Sequence, residues 1–337
     1  MSRLTLDVVV ETLRLAQPFR ISGHVFETAD VVVVTLGEGR HRGRGEASGV
    51  YYMNDDLANM TRALEGARSA IEAGPTRQEL RHVLPPGGAR AAVDAALWEL
   101  EAARTGTSAW RLAGLASVRP VRTTLTVSAD TPEAMAARAT GYQSAKAIKV
   151  KLTGELELDL ARVRAVRVAR PDVWLGVDAN QGYSIGQLAE LVRGLATHRV
   201  LLLEQPVQRG READLQDSNS VIPMAADESV LSLEELPRAI GRFDVINIKL
   251  DKCGGLTEGL MMAEEAQRLG FDVMVGTMIG TSLATAPAFI LAQRCSIVDL
   301  DGPTFLVKDR SPSVVYREGN LFAGDDVWGT PAAAAAA

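Results

Sequence analysis

"AIKVKLTG", residues 147–154, sets Ile148, Val150 and Leu152 in strict alternation with Lys149 and Lys151. Successive side chains of a strand point to opposite faces, so one face of this segment carries both lysines. A solvated sheet edge accommodates such a face, and so does the mouth of a closed barrel where charged groups converge. The flanking sequence decides between them. From residue 120 onward short apolar runs recur, each ending in polar residues: "VRTTLTVSAD", "AIKVKL", "DVWLGVDAN", "RVLLLEQP", "VIPMAADES", "DVINIKLDK", "FDVMVGTM" and "CSIVDLDG". Each is followed by a helical stretch, for example "TPEAMAARATGYQ", "LDLARVRAVRVARP", "SIGQLAELVRGLATH" and "GLTEGLMMAEEAQRLG". Eight consecutive strand-then-helix units predict an α/β fold built on a (β/α)8, TIM-like barrel, with its site where the strands' carboxy-terminal ends meet.

Upstream of residue 115 strands come first and helices second. "LTLDVVVETLRL" and "ADVVVVTLGEG" read as strands, and "HRGRGEASG" as a third returning through a Gly-rich turn. "DDLANMTRALEGARSAIEAG" and "ARAAVDAALWELEAARTG" follow with helical periodicity and a closing Gly. Blocks of this kind predict an α+β unit. "SPSVVYREGNLFAG" reads as a final hairpin returning to it. The expected organisation is an α+β capping domain over residues 1–115, the barrel over 116–310, a carboxy-terminal segment over 311–330 that completes the cap, and a low-complexity tail over 331–337.

The 337 residues are 47% hydrophobic, enough for a sizeable core and two domains. A net charge of −6 gives no footprint for nucleic acid or an anionic membrane, which leaves a small molecule as the expected partner. The first residues lack the continuous apolar run of a secretory signal, and no later run is long enough to span a bilayer. Cys253 and Cys295 form no C-x-x-C pair, so a reducing cytoplasm is the expected location. The Gly-rich "GEGRHRGRGEASG" joins strands and does not open a helix, which excludes a dinucleotide fingerprint.

Lys151, Asp178, Glu204, Asp227 and Lys249 end five successive strands, at separations of 27, 26, 23 and 22 residues. Three carboxylates converging on one rim repel one another unless a cation sits among them. Oxygen ligands without histidine select a hard divalent ion, so Asp178, Glu204 and Asp227 are the expected ligands of one Mg²⁺. Strands four units apart face each other across an eight-stranded barrel, which sets Lys151 opposite Lys249. A substrate carboxylate held at the cation would then have one lysine over each face of its α-carbon. Removing that α-proton leaves a dianionic enolate, whose charge a divalent cation stabilises. One lysine must be neutral to take the proton and the other charged to return one, and Lys149, deeper on the same face, is expected to tune the base. Two opposed acid/base groups imply racemisation or epimerisation. Asp299 and Asp301 share a face of the eighth strand, opposite the middle metal strand, and suit a substrate ammonium. Thr126, on the first barrel strand, joins the expected substrate-binding set.

These residues resemble the enolase superfamily, its muconate-lactonizing subgroup, and within it the dipeptide epimerases. The resemblance is carried by the K-x-K of Lys149 and Lys151, the D-x-N of "VDANQGY", "LEQP", "ADES", "NIKLDKCGG", the "DLDGP" of Asp299 and Asp301, and "LPPGGARAAVDAALWELEA". It runs essentially end to end and is most like the bacterial L-Ala-D/L-Glu epimerases of murein-peptide recycling. By that resemblance Asp299 and Asp301 bind a dipeptide's ammonium, and Asn180 and Glu228 support the metal site. A cationic cap residue is also implied against the substrate Glu side chain, and "PFRISGHVFETAD" offers Arg20 and His24. Subgroup members are often oligomeric, so a homo-oligomer is expected by analogy.

Other reactions begin with the same proton abstraction. Other dipeptides, N-acylamino acids, cycloisomerisation and the β-elimination of o-succinylbenzoate synthesis all fit the lysines and the metal. Asp299 and Asp301 argue against the last two, whose substrates carry no ammonium. A non-catalytic ligand-binding barrel would be expected to have lost a lysine or a ligand, and none is missing.

Overall fold

The computed structural model describes residues 3–329 except 217 and 219, so the tail at 331–337 lies outside the described residues. Strands β1 (Thr5–Ile21), β2 (His24–Glu38) and β3 (His41–Ser48) form an antiparallel sheet in sequence order. Helices α1 (Leu57–Glu72), α2 (Arg77–Val83), α3 (Gly88–Thr105) and α4 (Ala109–Leu112) follow. Asp56 caps α1, accepting from the Asn59 amide, and Thr76 with Glu79 forms a capping box on α2.

Helix α3 lies close against β3, and the glycines of "GRGEASG" make that approach possible. A Cβ on Gly43 would meet the Ala96 carbonyl at 2.0 Å, and one on Gly45 the Ala92 carbonyl at 2.0 Å. Two glycines at strand spacing thus face two alanines one helical turn apart. The other side of α3 rests on the barrel, which leaves nearly every residue from Gly88 to Leu100 buried.

After β4 (Val121–Arg122), eight parallel strands form the barrel: β5 (Leu125–Val127), β6 (Ala147–Lys151), β7 (Trp174–Asp178), β8 (Leu202–Glu204), β9 (Met224–Ala226), β10 (Val245–Lys249), β11 (Asp272–Gly276) and β12 (Ile297–Asp299). They pair in sequence order, and the Thr124 amide donates to the Val298 carbonyl at 3.0 Å where the ends of the sheet meet. Around them lie α5 (Pro132–Gly141), α6 (Leu156–Ala169), α7 (Ile185–Thr197), α8 (Leu250–Cys253), α9 (Leu256–Arg268) and α10 (Ser282–Ala292). The barrel floor is plugged by Leu202, Ala225, Val245 and Met274, with Trp174 and Ile297 packed against them. Alternation then stacks polar side chains above that plug.

Three expectations need correction. Among the described residues no α-helix follows the fourth and fifth barrel strands; 3-10 turns at Glu212–Leu215 and Leu233–Ala239 stand there. The first lies in a charged segment without apolar periodicity, and Pro237 lies inside the second. "VRTTLTVSAD" is not one strand. Val121–Arg122 pairs with the carboxy-terminal hairpin, β13 (Val315–Arg317) and β14 (Asn320–Phe322), whereas Leu125–Val127 joins the barrel. The change of partner falls at Thr123, whose hydroxyl accepts from the Leu300 amide. That hairpin therefore pairs at the barrel's entry, and the cap is reached by the residues after it: Trp328 Nε1 donates to the Arg44 carbonyl at 2.9 Å. Third, the first two strands extend beyond "LTLDVVVETLRL" and "ADVVVVTLGEG" and take in "PFRISGHVFETAD". That segment forms the β1–β2 hairpin, with Ile21 paired to His24 across a two-residue turn in which Gly23 has φ +74°.

The cap is fixed to the barrel by side chains that satisfy backbone donors. Glu46 accepts from the Thr281 amide at 2.6 Å, and Asp251 from the Ser48 amide at 2.8 Å. Asp94 accepts from the Thr257 amide at 3.0 Å. The "KCGG" glycines serve this joint: Gly254 and Gly255 have φ of +86° and +116° and lie against Arg90 and Asp94 of α3.

Gly45→Ala is expected to destabilise the protein by about 2–3 kcal/mol, the upper range for forcing a carbon into a packed interior. A denaturant titration with an unchanged midpoint would show that the α3–β3 contact relaxes freely.

Candidate active site

The inward positions of the barrel strands form two polar layers above the apolar plug. Lys149, Glu204, Asn247 and Asp299 fall in the lower layer, and Lys151, Asp178, Asp227, Lys249 and Asp301 in the upper one, as two-residue alternation requires. All nine are buried. Gly276 leaves room for this packing, because a Cβ there would lie 2.9 Å from Asn247 Oδ1 and 3.0 Å from Lys249 Cε.

Asp178, Glu204 and Asp227 offer ligand oxygens within 4.8 Å of one another, the one such metal-ligating cluster among the described residues. Their surroundings fit a cation. Lys151 Nζ donates to Asp178 Oδ2 at 2.5 Å, and Lys249 Nζ to Asp227 Oδ2 at 2.7 Å. Lys149 donates to Asp299 and, at 3.2 Å, to Glu204 Oε2. Even so, burial, reinforced by Asp178, pushes Glu204 up to about 7. Burial and Asp227 push Glu228 up to about 8. Negative charge is therefore in excess at this rim. Buried oxygens without a protein partner, Asn180 Oδ1 and Glu228 Oε2, border the same place.

Two of the acids run the other way. Burial would raise Asp227, but Lys249 and Lys252 outweigh burial and hold it well below the usual carboxylate range; Lys149 likewise outweighs burial at Asp299 and lowers it. Burial likewise pulls Lys249 down, yet Asp227, Glu204 and Asp178 hold it well above an ordinary lysine. The expected lowering is thus absent at Lys249, because the carboxylate trio outweighs desolvation. Lys149 is also held up, against burial, by Asp299, Glu204 and Asp178.

Asp299 and Asp301 both border the cavity, but in different states. Lys149 and the Thr124 hydroxyl both donate to Asp299. Asp301 accepts from the Thr126 amide at 2.6 Å. Burial, then repulsion from Asp299, push Asp301 up to about 7. Thr126 thus orients Asp301 through its backbone.

The cavity above these groups measures about 280 Å³ and is roofed by the cap. Arg20 and His24 do not line it. The strand register sets Phe19, Ile21 and Phe26 inward, whereas Arg20 points the other way with its partner Val25. His24 sits at the hairpin tip, tilted against Tyr51 with ring centres 4.4 Å apart and planes at 57°. Both residues border a separate shallow cleft beside Asp130 and Arg162.

Several residues of this site were not singled out by the sequence. Gln205 Oε1 accepts from the Asp227 amide at 3.0 Å and the Ser229 amide at 3.1 Å, tying the end of β8 to that of β9. Asn247 Nδ2 donates to Glu204 Oε1 at 2.7 Å. It lies two residues before Lys249, so the alternation that exposed Lys149 would have found it. Lys252, three residues after Lys249, donates to Asp227 Oδ1 at 2.6 Å. Tyr52, from the cap, brings a buried hydroxyl without a protein partner to the cavity wall.

Residues 3–114 match the family described as mandelate racemase / muconate lactonizing enzyme, N-terminal domain. Residues 132–311 match the enolase C-terminal domain-like family. The chain belongs to the mandelate racemase / muconate lactonizing enzyme family, and among its relatives it is an isomerase. An L-Ala-D/L-Glu epimerase of Escherichia coli (strain K12) is 39% identical over 319 residues, covering 94% of this chain and 99% of that protein. An N-acetyl-D-glutamate racemase of a Pseudoalteromonas species is 40% identical over 243 residues, covering 72% and 76%. Among solved structures, an enolase family member from Agrobacterium tumefaciens with homology to dipeptide epimerases, holding sodium and L-Ala-L-Glu, superposes with a TM-score of 0.92 at 39% identity, over 97% of this chain and 100% of that one. The dipeptide epimerase of Enterococcus faecalis V583, complexed with Mg and L-Leu-L-Tyr, superposes with a TM-score of 0.88 at 26% identity, over 95% and 96%.

Glu204→Gln is expected to weaken Mg²⁺ binding at least tenfold in calorimetry. Unchanged affinity would remove Glu204 from the ligand set.

Proposed function

We propose that the protein epimerises a dipeptide at its carboxy-terminal residue, by proton transfer between two lysines. The observation that carries this is the pairing of Lys151 and Lys249 across one buried cavity, each beside one end of the Asp178, Glu204 and Asp227 cluster. The kinship with epimerases and racemases supports it. Mg²⁺ is the ion the donor set fits: three buried carboxylates, no nitrogen or sulfur. Such an ion, when bound, neutralises the carboxylates that otherwise keep Lys249 protonated and stabilises the negative charge developing on the substrate's carboxylate.

The remaining work belongs to the chain. Lys151 Nζ, on one side, takes the α-proton, and Lys249 Nζ returns a proton to the opposite face of the planar conjugate base; the reverse reaction exchanges the roles. Lys149, bonded to Asp299 and Glu204, holds positive charge beneath the site and restrains both acids. Gln205 and Lys252 orient Asp227. Asp301, directed by the Thr126 amide, receives the substrate ammonium, with Asp299 behind it. The cap excludes water from the reacting carbon.

Racemisation of an N-acylamino acid is the second reading. It is favoured by the engagement of Asp299 with Lys149 and Thr124, which leaves Asp301 as the principal carboxylate for an ammonium.

Lys151→Ala and Lys249→Ala should each lower epimerisation by at least a thousandfold, followed by proton NMR in D₂O with Mg²⁺. Near-normal turnover in either variant would falsify the two-lysine mechanism. Asp301→Asn should raise KM for a dipeptide at least tenfold and leave KM for an N-acetylamino acid little changed. Equal effects on both would contradict ammonium recognition.

A further inference from the structure

We infer that the cap wall of the cavity selects a dipeptide whose carboxy-terminal side chain is apolar, aromatic or branched aliphatic, in preference to an acidic one. This rests on the epimerase reading above. The α-carbon lies beside Lys151, so its side chain extends into the cavity next to the cap wall, which Phe19 brings up to the reacting groups: its ring centre lies 5.9 Å from Lys151 Nζ and both residues line the cavity.

Phe19 belongs to a continuous apolar surface. Its ring packs edge-on against Phe305 with centres 4.8 Å apart, and Ile21 and Leu306 complete a buried cluster with Phe26, Tyr51 and Ile279 packed around it. Four separate parts of the chain meet there: the β1–β2 hairpin, the turn after β3, the segment following β11 and the segment following β12. Phe19, Ile21, Phe26, Tyr51, Ile279 and Phe305 all face the cavity. At about 280 Å³ it is at the small end of ligand sites, which run roughly 300–1,000 Å³, and it suits a dipeptide better than a longer peptide.

Charge in the cavity works against a second carboxylate. Among the described residues no arginine or histidine lines it, and its three lysines, Lys149, Lys151 and Lys249, are each bonded to an aspartate of the floor. The cap side adds Asp30, Asp55 and Asp56. A glutamate side chain placed there would lose water among aromatic rings without gaining a cation. A cationic side chain has the weaker claim, because those three acids are already engaged. Asp30 accepts from Thr12 Oγ1 at 2.6 Å, Asp55 from the Gly88 amide at 2.6 Å, and Asp56 from the Asn59 amide at 2.8 Å.

The test is α-proton exchange by proton NMR in D₂O, using the full-length protein with Mg²⁺ and L-Ala-L-Phe, L-Ala-L-Leu, L-Ala-L-Glu and L-Ala-L-Lys. The two apolar dipeptides should exceed the two charged ones at least tenfold in kcat/KM, chiefly through KM. Equal rates, or a fastest rate with L-Ala-L-Glu or L-Ala-L-Lys, overturn the inference and leave the epimerase reading standing. Exchange with none of the four overturns the epimerase reading itself. Phe26→Arg supplies a cation to the wall and should shift the Phe-to-Glu ratio at least tenfold toward Glu by lowering KM for L-Ala-L-Glu. An unchanged ratio in that variant means that the wall does not touch the side chain, and overturns the inference.

Discussion

Buried charge at the barrel mouth must be balanced, and much of the structure answers that constraint. Asp178, Glu204, Asp227, Glu228, Asp299 and Asp301 are buried there against Lys149, Lys151, Lys249 and Lys252. Six acids face four ammonium groups, two positive charges short of neutrality. A divalent ion has that charge. The alternative is protonation, and the raised values of Glu204, Glu228 and Asp301 mark where protons would go. Unpaired buried charge costs several kcal/mol per group, so the apolar plug beneath and the rigid strands around must hold each ion close to its partner.

The barrel was legible because its signal repeats. A polar residue at each strand end, one unit apart, sets a spacing that chance loops do not, and it picked out the lysines and the carboxylate trio together. Alternation placed Lys149 below Lys151 and grouped Asp299 with Asp301. The same rule contained Asn247, which went unnoticed beside Lys249. What the sequence could not give was the cost of particular neighbours. Gln205 acts through bonds to amides more than twenty residues away, and Tyr52 reaches the cavity only because the cap folds over it.

Arg20 and His24 entered through the resemblance alone, which points to a cap segment and not to the face its side chains take. Alternation is reliable only while a strand stays in register, and the β1–β2 ladder is interrupted between Arg14 and Phe19, where Pro18 cannot donate a ladder bond. Counting restarts after it, with Phe19 inward and Arg20 outward. A basic residue in a cap segment therefore did not imply a basic residue in the cavity. The 3-10 turns after β8 and β9 show a related limit, because barrel periodicity fixes where a crossover lies and says little about its conformation.

The joints between cap and barrel are unevenly distributed. Glu46, Ser48 and Asp94 anchor β3 and α3 through side chains, whereas the β1–β2 hairpin is held by backbone, the Arg20 amide donating to Ser128 Oγ at 2.6 Å and the Arg20 carbonyl accepting from the Ala129 amide at 3.1 Å. The cap is consequently a poor module for exchange between homologous chains, since its foundations interlock with α8, α9 and α10. Its rim is different. Because that joint runs through backbone, side chains of the hairpin can vary while the joint and the lysines stay in place, so substrate preference in such a molecule is free to drift while its chemistry is inherited intact.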